Sequence, residues 1–384
     1  MAQAVITSIE DLRVLHQRRV PRMFFDYAES GSWTEATLRN NTAAFAQVKL
    51  RQRVAKDISA RSITSKMLDE SWAMPVALAP TGLAGMQWAN GEILAAQAAQ
   101  NFGVPFTLST MSICSIEDVA AHTQKPFWFQ LYVMKDRDFI AALINRAKAA
   151  GCSALMLTLD LQILGQRHKD LKNRMSAPPK LTLPNIVNMA TKPRWCLGML
   201  GTSRRNFGNI IGHAKGVDDL SSLSAWSAEQ LDPTLDWDDV AWVKEQWGGK
   251  LILKGIMDAQ DARIAADLGV DAIIVSNHGG RQLDGAPASL DVLPEVIKAV
   301  VGDCEVWLDG GIRSGQDVFK TMALGATGTL IGKAFLNGLG AMGRDGVQKC
   351  LALIANELDL TMAFCGHTEL ENVTSEVIWR QSAR

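Results

Sequence analysis

The sequence predicts a closed (β/α)8 barrel, a TIM barrel, with an N-terminal helical segment and a long insertion after its fourth strand. Three observations predict it. Eight apolar runs of strand length follow one another between residues 76 and 331. Alanine-rich stretches with helical spacing separate most of them. Polar side chains collect at the C-terminal ends of the runs, where barrels of this class carry their chemistry.

The runs are Val76–Ala79, Val104–Leu108, Phe127–Leu131, Ala154–Leu159, Leu251–Leu253, Ala272–Val275, Glu305–Leu308 and Gly328–Ile331. Helical patterns over Glu92–Asn101, Asp138–Ala150, Ala259–Leu268 and Gln316–Leu324 lie between them. An open doubly wound sheet is the alternative. It needs a GxGxxG turn after the first strand, and none is present. Ahead of the barrel, residues 1–70 read as a helical, polar cap, with amphipathic helices over Ile6–Val14 and Pro21–Glu29. After Ile331 a helix is expected over Lys349–Leu360. One domain is expected to span residues 1–384.

The fourth and fifth runs are separated by about 90 residues, against ~30 for an ordinary repeat. Within this insertion, taken as residues 171–235, no acid occurs between Asp170 and Asp218. The cations there are Lys172, Arg174, Lys180, Lys192, Arg194, Arg204, Arg205 and Lys215, with Trp195, Leu197, Met199, Leu200 and Phe207 among them. Two readings follow: a segment that meets an anionic membrane surface, or an active-site lid with a solvated basic face.

Bulk properties narrow the class. A net charge of −1 gives no overall attraction to nucleic acid, so no nucleic-acid partner is expected. Six scattered cysteines without a CxxC pair point to reduced thiols and no metal. Glu10 and Asp11 interrupt any signal-like N-terminus, and no apolar run reaches the ~18 residues of a membrane span. The expectation is a soluble or peripheral protein.

The polar ring at the strand ends carries the functional reading. Ser276-Asn277-His278-Gly279-Gly280-Arg281-Gln282-Leu283-Asp284-Gly285 follows the sixth run. A histidine there serves as a general base near neutral pH, and an arginine offers a planar fork to a carboxylate. Asp160 closes the fourth run, where a carboxylate can steady the imidazolium. Lys254 ends a buried run, which is costly for a cation without a partner. Asp309-Gly310-Gly311-Ile312-Arg313 and Gly332-Lys333 end the last two runs, the usual phosphate position of a barrel. Thr81, Ser109, Gln130, Thr158 and Ser276 supply uncharged donors and acceptors suited to the edge of a flat ring. The plainer readings are a solvated glycine-rich turn for His278 and a tight turn for Asp309–Gly311. The ring as a whole weighs against both.

SNHGGRQLDG resembles the signature of the FMN-dependent L-2-hydroxy acid dehydrogenases and oxidases, and further matches run from Tyr27 to Lys333. The resemblance implies FMN as cofactor and oxidation of an L-2-hydroxy acid to the 2-oxo acid. It implies that His278 is the base paired with Asp160, and that Tyr132 bonds near the substrate hydroxyl. Tyr27 and Arg281 would clamp the substrate carboxylate, with Arg167 an additional active-site arginine. Lys254 would lie beside the flavin N1–C2 carbonyl, Asp309 at the ribityl chain, and Arg313 with Gly332 and Lys333 at the phosphate. Lys333 replaces the family's arginine, which keeps the charge and loses the fork. Gly82 matches the dehydrogenase members, where many oxidases carry alanine. Lys192-Pro193-Arg194-Trp195 is similar to a loop of the membrane-associated lactate and mandelate dehydrogenases.

L-lactate is therefore the first expected substrate, and mandelate or a bulkier acid the second, since Met111 replaces the tryptophan of plant-type members. Electrons are expected to pass to a quinone or other carrier. The resemblance also implies a homotetramer, placed on the cytoplasmic side and peripheral to the inner membrane. An oxidase producing peroxide and a barrel acting on a phosphorylated metabolite stand as alternatives.

Overall fold

In the computed structural model the described residues are 5–175, 182–214, 217, 230 and 232–379. Eight strands form the barrel: β1 (Val76–Leu78), β2 (Thr107–Ser109), β3 (Trp128–Tyr132), β4 (Ala154–Thr158), β5 (Lys250–Ile256), β6 (Ala272–Val275), β7 (Glu305–Leu308) and β8 (Gly328–Ile331). Each pairs in parallel with the next, and β8 pairs with β1. A bridge between Leu78 and Phe106 joins β1 to β2 and closes the ring. These strands are buried along nearly their whole length because helices cover one face and the barrel interior the other. Within the barrel the rings of Trp128 and Trp307 stack, their centroids 5.3 Å apart.

All eight expected strands exist. The second begins at Thr107 and not at Val104, since Pro105 has no N–H to give the ladder. The first helix, α1 (Ile9–Arg19), starts three residues later than expected. Ser8 caps it, its Oγ accepting from Asp11 N while Asp11 accepts from Ser8 N. Next come α2 (Arg22–Glu29) and α3 (Ala36–Gln47).

The helical expectation for residues 1–70 fails beyond Gln47. Lys49–Leu50 pairs with Ile378–Trp379 near the other end of the chain. Ser65–Met67 and Glu70–Trp72 form a hairpin under the N-terminal end of the barrel, where Leu68 N donates to Glu305 and Leu68 O accepts from Lys250. Both are decided by long-range partners. The final helix runs from Arg344 to Cys365, longer than expected, and stops at the left-handed Gly366.

The insertion folds partly as α4 (Leu183–Ala190) and α5 (Pro193–Leu200), each with proline in its first turn. Trp195 of α5 stacks on Phe24 of α2 at 5.4 Å and donates to Met86 O. Leu183, Leu197 and Leu200 remain about 70% exposed. Not every cation of this segment faces solvent. Arg204 pairs with Asp118, and Arg205 donates to the last carbonyls of α5. Lys180, Lys215 and Asp218 lie outside the described residues. Among the described residues no helix is long and apolar enough to cross a membrane.

Candidate active site

The C-terminal mouth of the barrel opens into a cavity of about 510 Å³. His278 enters it from the loop after β6 with φ +58°, a left-handed conformation, and Gly279 and Gly280 follow in the same region. At Gly280 a Cβ would lie 2.5 Å from Leu38 N, so only glycine allows α3 to pack there.

Nδ1 of His278 is 2.8 Å from Oδ1 of Asp160. Asp160 reaches this position because β5 is irregular between Lys254 and Ile256 and carries Gly255 there. A Cβ on Gly255 would meet the Asp160 side chain at 2.8 Å. Burial pushes the Asp160 carboxyl up. The charge and hydrogen bond of His278 outweigh it and hold the group below its ordinary value.

Lys254 is 4% exposed. Its Nζ lies 3.0 Å from Asp309 Oδ2 and 2.8 Å from Ser276 Oγ. Burial alone would lower its pKa, but Asp309 and Asp160 reverse the shift, so the ammonium is favoured.

On the opposite wall the Arg281 guanidinium sits 4.8 Å from the centre of the Tyr27 ring, and that of Arg167 sits 6.0 Å away. Arg281 Nη1 donates to the carbonyls of Tyr27 and Ser30. No bond among the described residues uses its Nε or Nη2. Burial and the neighbouring Arg167 lower its pKa. Arg167 is anchored by Asp170 at 2.6 Å and is not part of a solvated face. Tyr132 ends β3 in the same cavity, its phenol pushed up by burial and then by Asp160. A Cβ on Gly82 would come within 3.1 Å of the Tyr27 hydroxyl.

At the far end Gly310 and Gly311 are left-handed, with φ +96° and +88°, and Arg313, Gly332 and Lys333 line the cavity beside them. Lys333 is also tied to the N-terminal cap. Its Nζ donates to the carbonyls of Glu29 and Ser30 at 3.0 Å each, and burial drives its pKa well down. It is engaged by the C-terminus of α2, whose carbonyls have no helical partner.

Thr81 and Ser109 also line the cavity; Gln130, Thr158, Asp160 and Ser276 lie behind that lining. Sequence reasoning missed Leu38 and Thr42 of α3, and Met175. Their apolar or small side chains carry no chemical signal.

A cofactor fit can be tested on this geometry. Gln130 Nε2, Thr158 Oγ1 and Asp309 Oδ1 are buried without a hydrogen-bond partner among the described residues. Unpaired buried polar atoms are costly, so they mark where a ligand completes the bonding. They lie at the ends of β3, β4 and β7, beside a buried lysine and a double-glycine loop. A planar ring with a polar edge and a phosphorylated tail suits that donor set.

The comparisons with known proteins agree. The pattern of the FMN-dependent dehydrogenases matches residues 16–380. An L-lactate dehydrogenase of Pseudomonas entomophila (strain L48) is 43% identical, covering 98% of this chain and 99% of its own. One of Actinobacillus pleuropneumoniae serotype 5b is 42% identical, covering 97% and 98%. Among solved structures, a monotopic membrane protein, (S)-mandelate dehydrogenase, superposes with TM-score 0.94 at 33% identity, covering 98% of this chain and all of that one. With its barrel and cofactor-sized donor set, this chain belongs to the FMN-dependent dehydrogenase family.

Proposed function

We propose that the protein oxidises an L-2-hydroxy acid, L-lactate in the first place, to the 2-oxo acid. The observation that carries the reading is the His278–Asp160 pair, 2.8 Å apart, whose His278 shares one cavity with Arg281 and Tyr27. The substrate carboxylate binds the Nε–Nη2 fork of Arg281 and the Tyr27 hydroxyl, a bidentate geometry that an arginine offers and a lysine does not. Arg167 adds a second cation on that side. With Nδ1 held by Asp160, His278 presents Nε2 to the substrate and takes a proton, from Cα or from the hydroxyl. Asp160 then stabilises the imidazolium. Tyr132 bonds near the substrate hydroxyl. Leu161, Leu164, Met175 and Phe207 supply apolar walls.

Ser109, Gln130, Thr158 and Lys254 would hold the flavin ring edge, with Thr81 and Ser276 beside them and Asp309 on the ribityl chain. Gly310, Gly311, Arg313, Gly332 and the start of the helix at Lys333 would hold the phosphate. FMN, when bound, supplies the two-electron acceptor.

The electrons then pass to a quinone or other carrier at a membrane. Exposed Leu183, Leu197 and Leu200, beside exposed Arg22 and Arg194, suit an anionic headgroup layer, and the cytoplasmic leaflet is the anionic one.

The test is anaerobic mixing with L-lactate, then with L-mandelate, following the flavin absorbance, and then admitting air. Bleaching by L-lactate and slow recolouring are expected. No bleaching by either acid would overturn the reading. Fast recolouring with peroxide would make the protein an oxidase.

A further inference from the structure

Helix α3 lies against two loops of the site at once, and Asn41 is where it touches both. Asn41 Nδ2 donates to Asn277 Oδ1 at 2.8 Å, and Asn277 Nδ2 donates back to Asn41 Oδ1 at 2.8 Å. The two amides thus form a closed hydrogen-bonded ring, and their residues are 1% and 7% exposed. Their remaining capacity goes to the loop that carries His278 and Arg281. Asn277 Oδ1 also accepts from Gly280 N at 3.0 Å, and its Nδ2 also donates to Pro287 O at 3.0 Å. Asn41 Oδ1 accepts from Ser289 N at 3.3 Å. One amide pair therefore ties both ends of the stretch from 277 to 289.

The other side of Asn41 faces the double-glycine loop. A Cβ on Gly311 would lie 2.2 Å from Asn41 O, and one on Gly310 would lie 3.3 Å from Asn41 Nδ2. Upstream, the same segment holds the middle of the His278 loop. Ser32 N donates to Gly280 O at 2.9 Å, and Thr37 N donates to Asp284 Oδ1 at 2.9 Å.

This clamp explains a feature of His278 that the barrel alone does not. A left-handed backbone is costly for a residue with a side chain and persists where the surroundings over-determine it. Residue 277, just before His278, and residue 280, two after it, are both bonded into the Asn41 pair.

We propose that Asn41 is a positioning residue for the reaction. Through Asn277 it holds the His278 loop in its left-handed turn and sets that loop against Gly310–Gly311. The inference rests on the reading of His278 as the base. Asn41 itself does not line the cavity.

The test compares Asn41→Ala, Asn41→Asp and the wild-type protein, each loaded with FMN, by the rate of anaerobic flavin reduction at saturating L-lactate across pH. The release of FMN fluorescence reads cofactor binding separately. An ionised aspartate at 41 accepts from Asn277 Nδ2 and Ser289 N but sets two acceptors face to face at Asn277 Oδ1. Once protonated, it donates there as the amide does. The other charged groups on the packed elements are Arg39, His278, Arg281, Asp284, Asp291, Glu295, Lys298, Asp309, Arg313 and Lys320. They are common to all three proteins and cancel in the ratio of variant to wild type.

Asn41→Ala is expected to slow flavin reduction at saturating L-lactate by ~10²-fold at every pH, the scale of a misplaced catalytic group, with FMN release little changed. Asn41→Asp is expected to match that deficit at alkaline pH and to recover as pH falls. Wild-type rates in both variants would overturn the proposal, as would a ratio for Asn41→Asp that is flat in pH. Failure of both to fold and bind FMN would overturn it too, by making Asn41 a fold determinant. A wild type not bleached by L-lactate would count against the substrate reading alone, and the ratio would then be read with the acid that does bleach it.

Discussion

His278 and Asp160 are 118 positions apart in the chain and 2.8 Å apart at the barrel mouth, joined through Nδ1 and Oδ1. They rise from β6 and β4, with β5 between them. Among the described residues no bond uses the other imidazole nitrogen, and that nitrogen is the one a substrate can meet.

Replacing His278 with Gln keeps the bulk of the side chain and removes the base. Flavin reduction by L-lactate should fall by about 10⁴-fold, the upper range for general-base catalysis, while FMN remains bound. Stopped-flow absorbance and a cofactor titration check the two halves separately. Near-normal reduction would remove His278 from the role.

Asp160→Asn keeps the shape and loses the charge that steadies the imidazolium. A loss of ~10²–10⁴ in the reduction rate is expected. The variant should also lose part of the acid dependence of stability. Because the native Asp160 carboxyl sits below its ordinary value of 3.8, its contribution is present above that value and is lost as pH falls through the lower native one. Melting curves taken from 3.8 downward should fall less steeply for the variant than for the wild type, and parallel curves would contradict the assignment.

Lys254 and Asp309 form a buried pair. Lys254→Met leaves an unpaired carboxylate and should cost ~3–5 kcal/mol of stability, whereas Lys254→Met with Asp309→Asn should recover most of it. The native lysine is held above 10.5, so its contribution is intact below that pH and is lost as pH rises through the native value. Denaturant titrations of the single and double variants decide this. Equal losses in the two would show that the charges are not coupled.

The exposed leucines of α4 and α5 can be tested with vesicles. Leu197→Asp combined with Leu200→Asp should abolish sedimentation with phosphatidylglycerol vesicles and leave flavin reduction by L-lactate unchanged. The wild type should bind less as salt is raised, because part of the attraction is between basic side chains and headgroups. Binding that survives both changes would move the contact elsewhere.

The barrel was legible because its signal is local. Apolar runs of strand length, such as Ala272–Val275, bury whichever way the chain is threaded, and helix-length spacers between them favour parallel strands. The strand ends followed from the runs, so the residue types at the mouth could be read in order. The extended stretch after Gln47 was not legible. Its partners, Ile378–Trp379 for Lys49–Leu50 and Glu305 and Lys250 for the hairpin, lie far away in sequence.

The same division runs through the site. By itself the sequence determined the fold class, the ring of polar residues and the types available for chemistry, since each depends on periodicity and on side-chain identity. Only the tertiary structure decided which of them meet. The irregularity of β5 at Gly255 makes room for Asp160 beside His278, the C-terminus of α2 claims Lys333, and α3 brings Asn41 to Asn277 across 236 positions. Such contacts arise when packing closes long loops, and no local pattern of residues encodes a distance between segments that are remote in the chain.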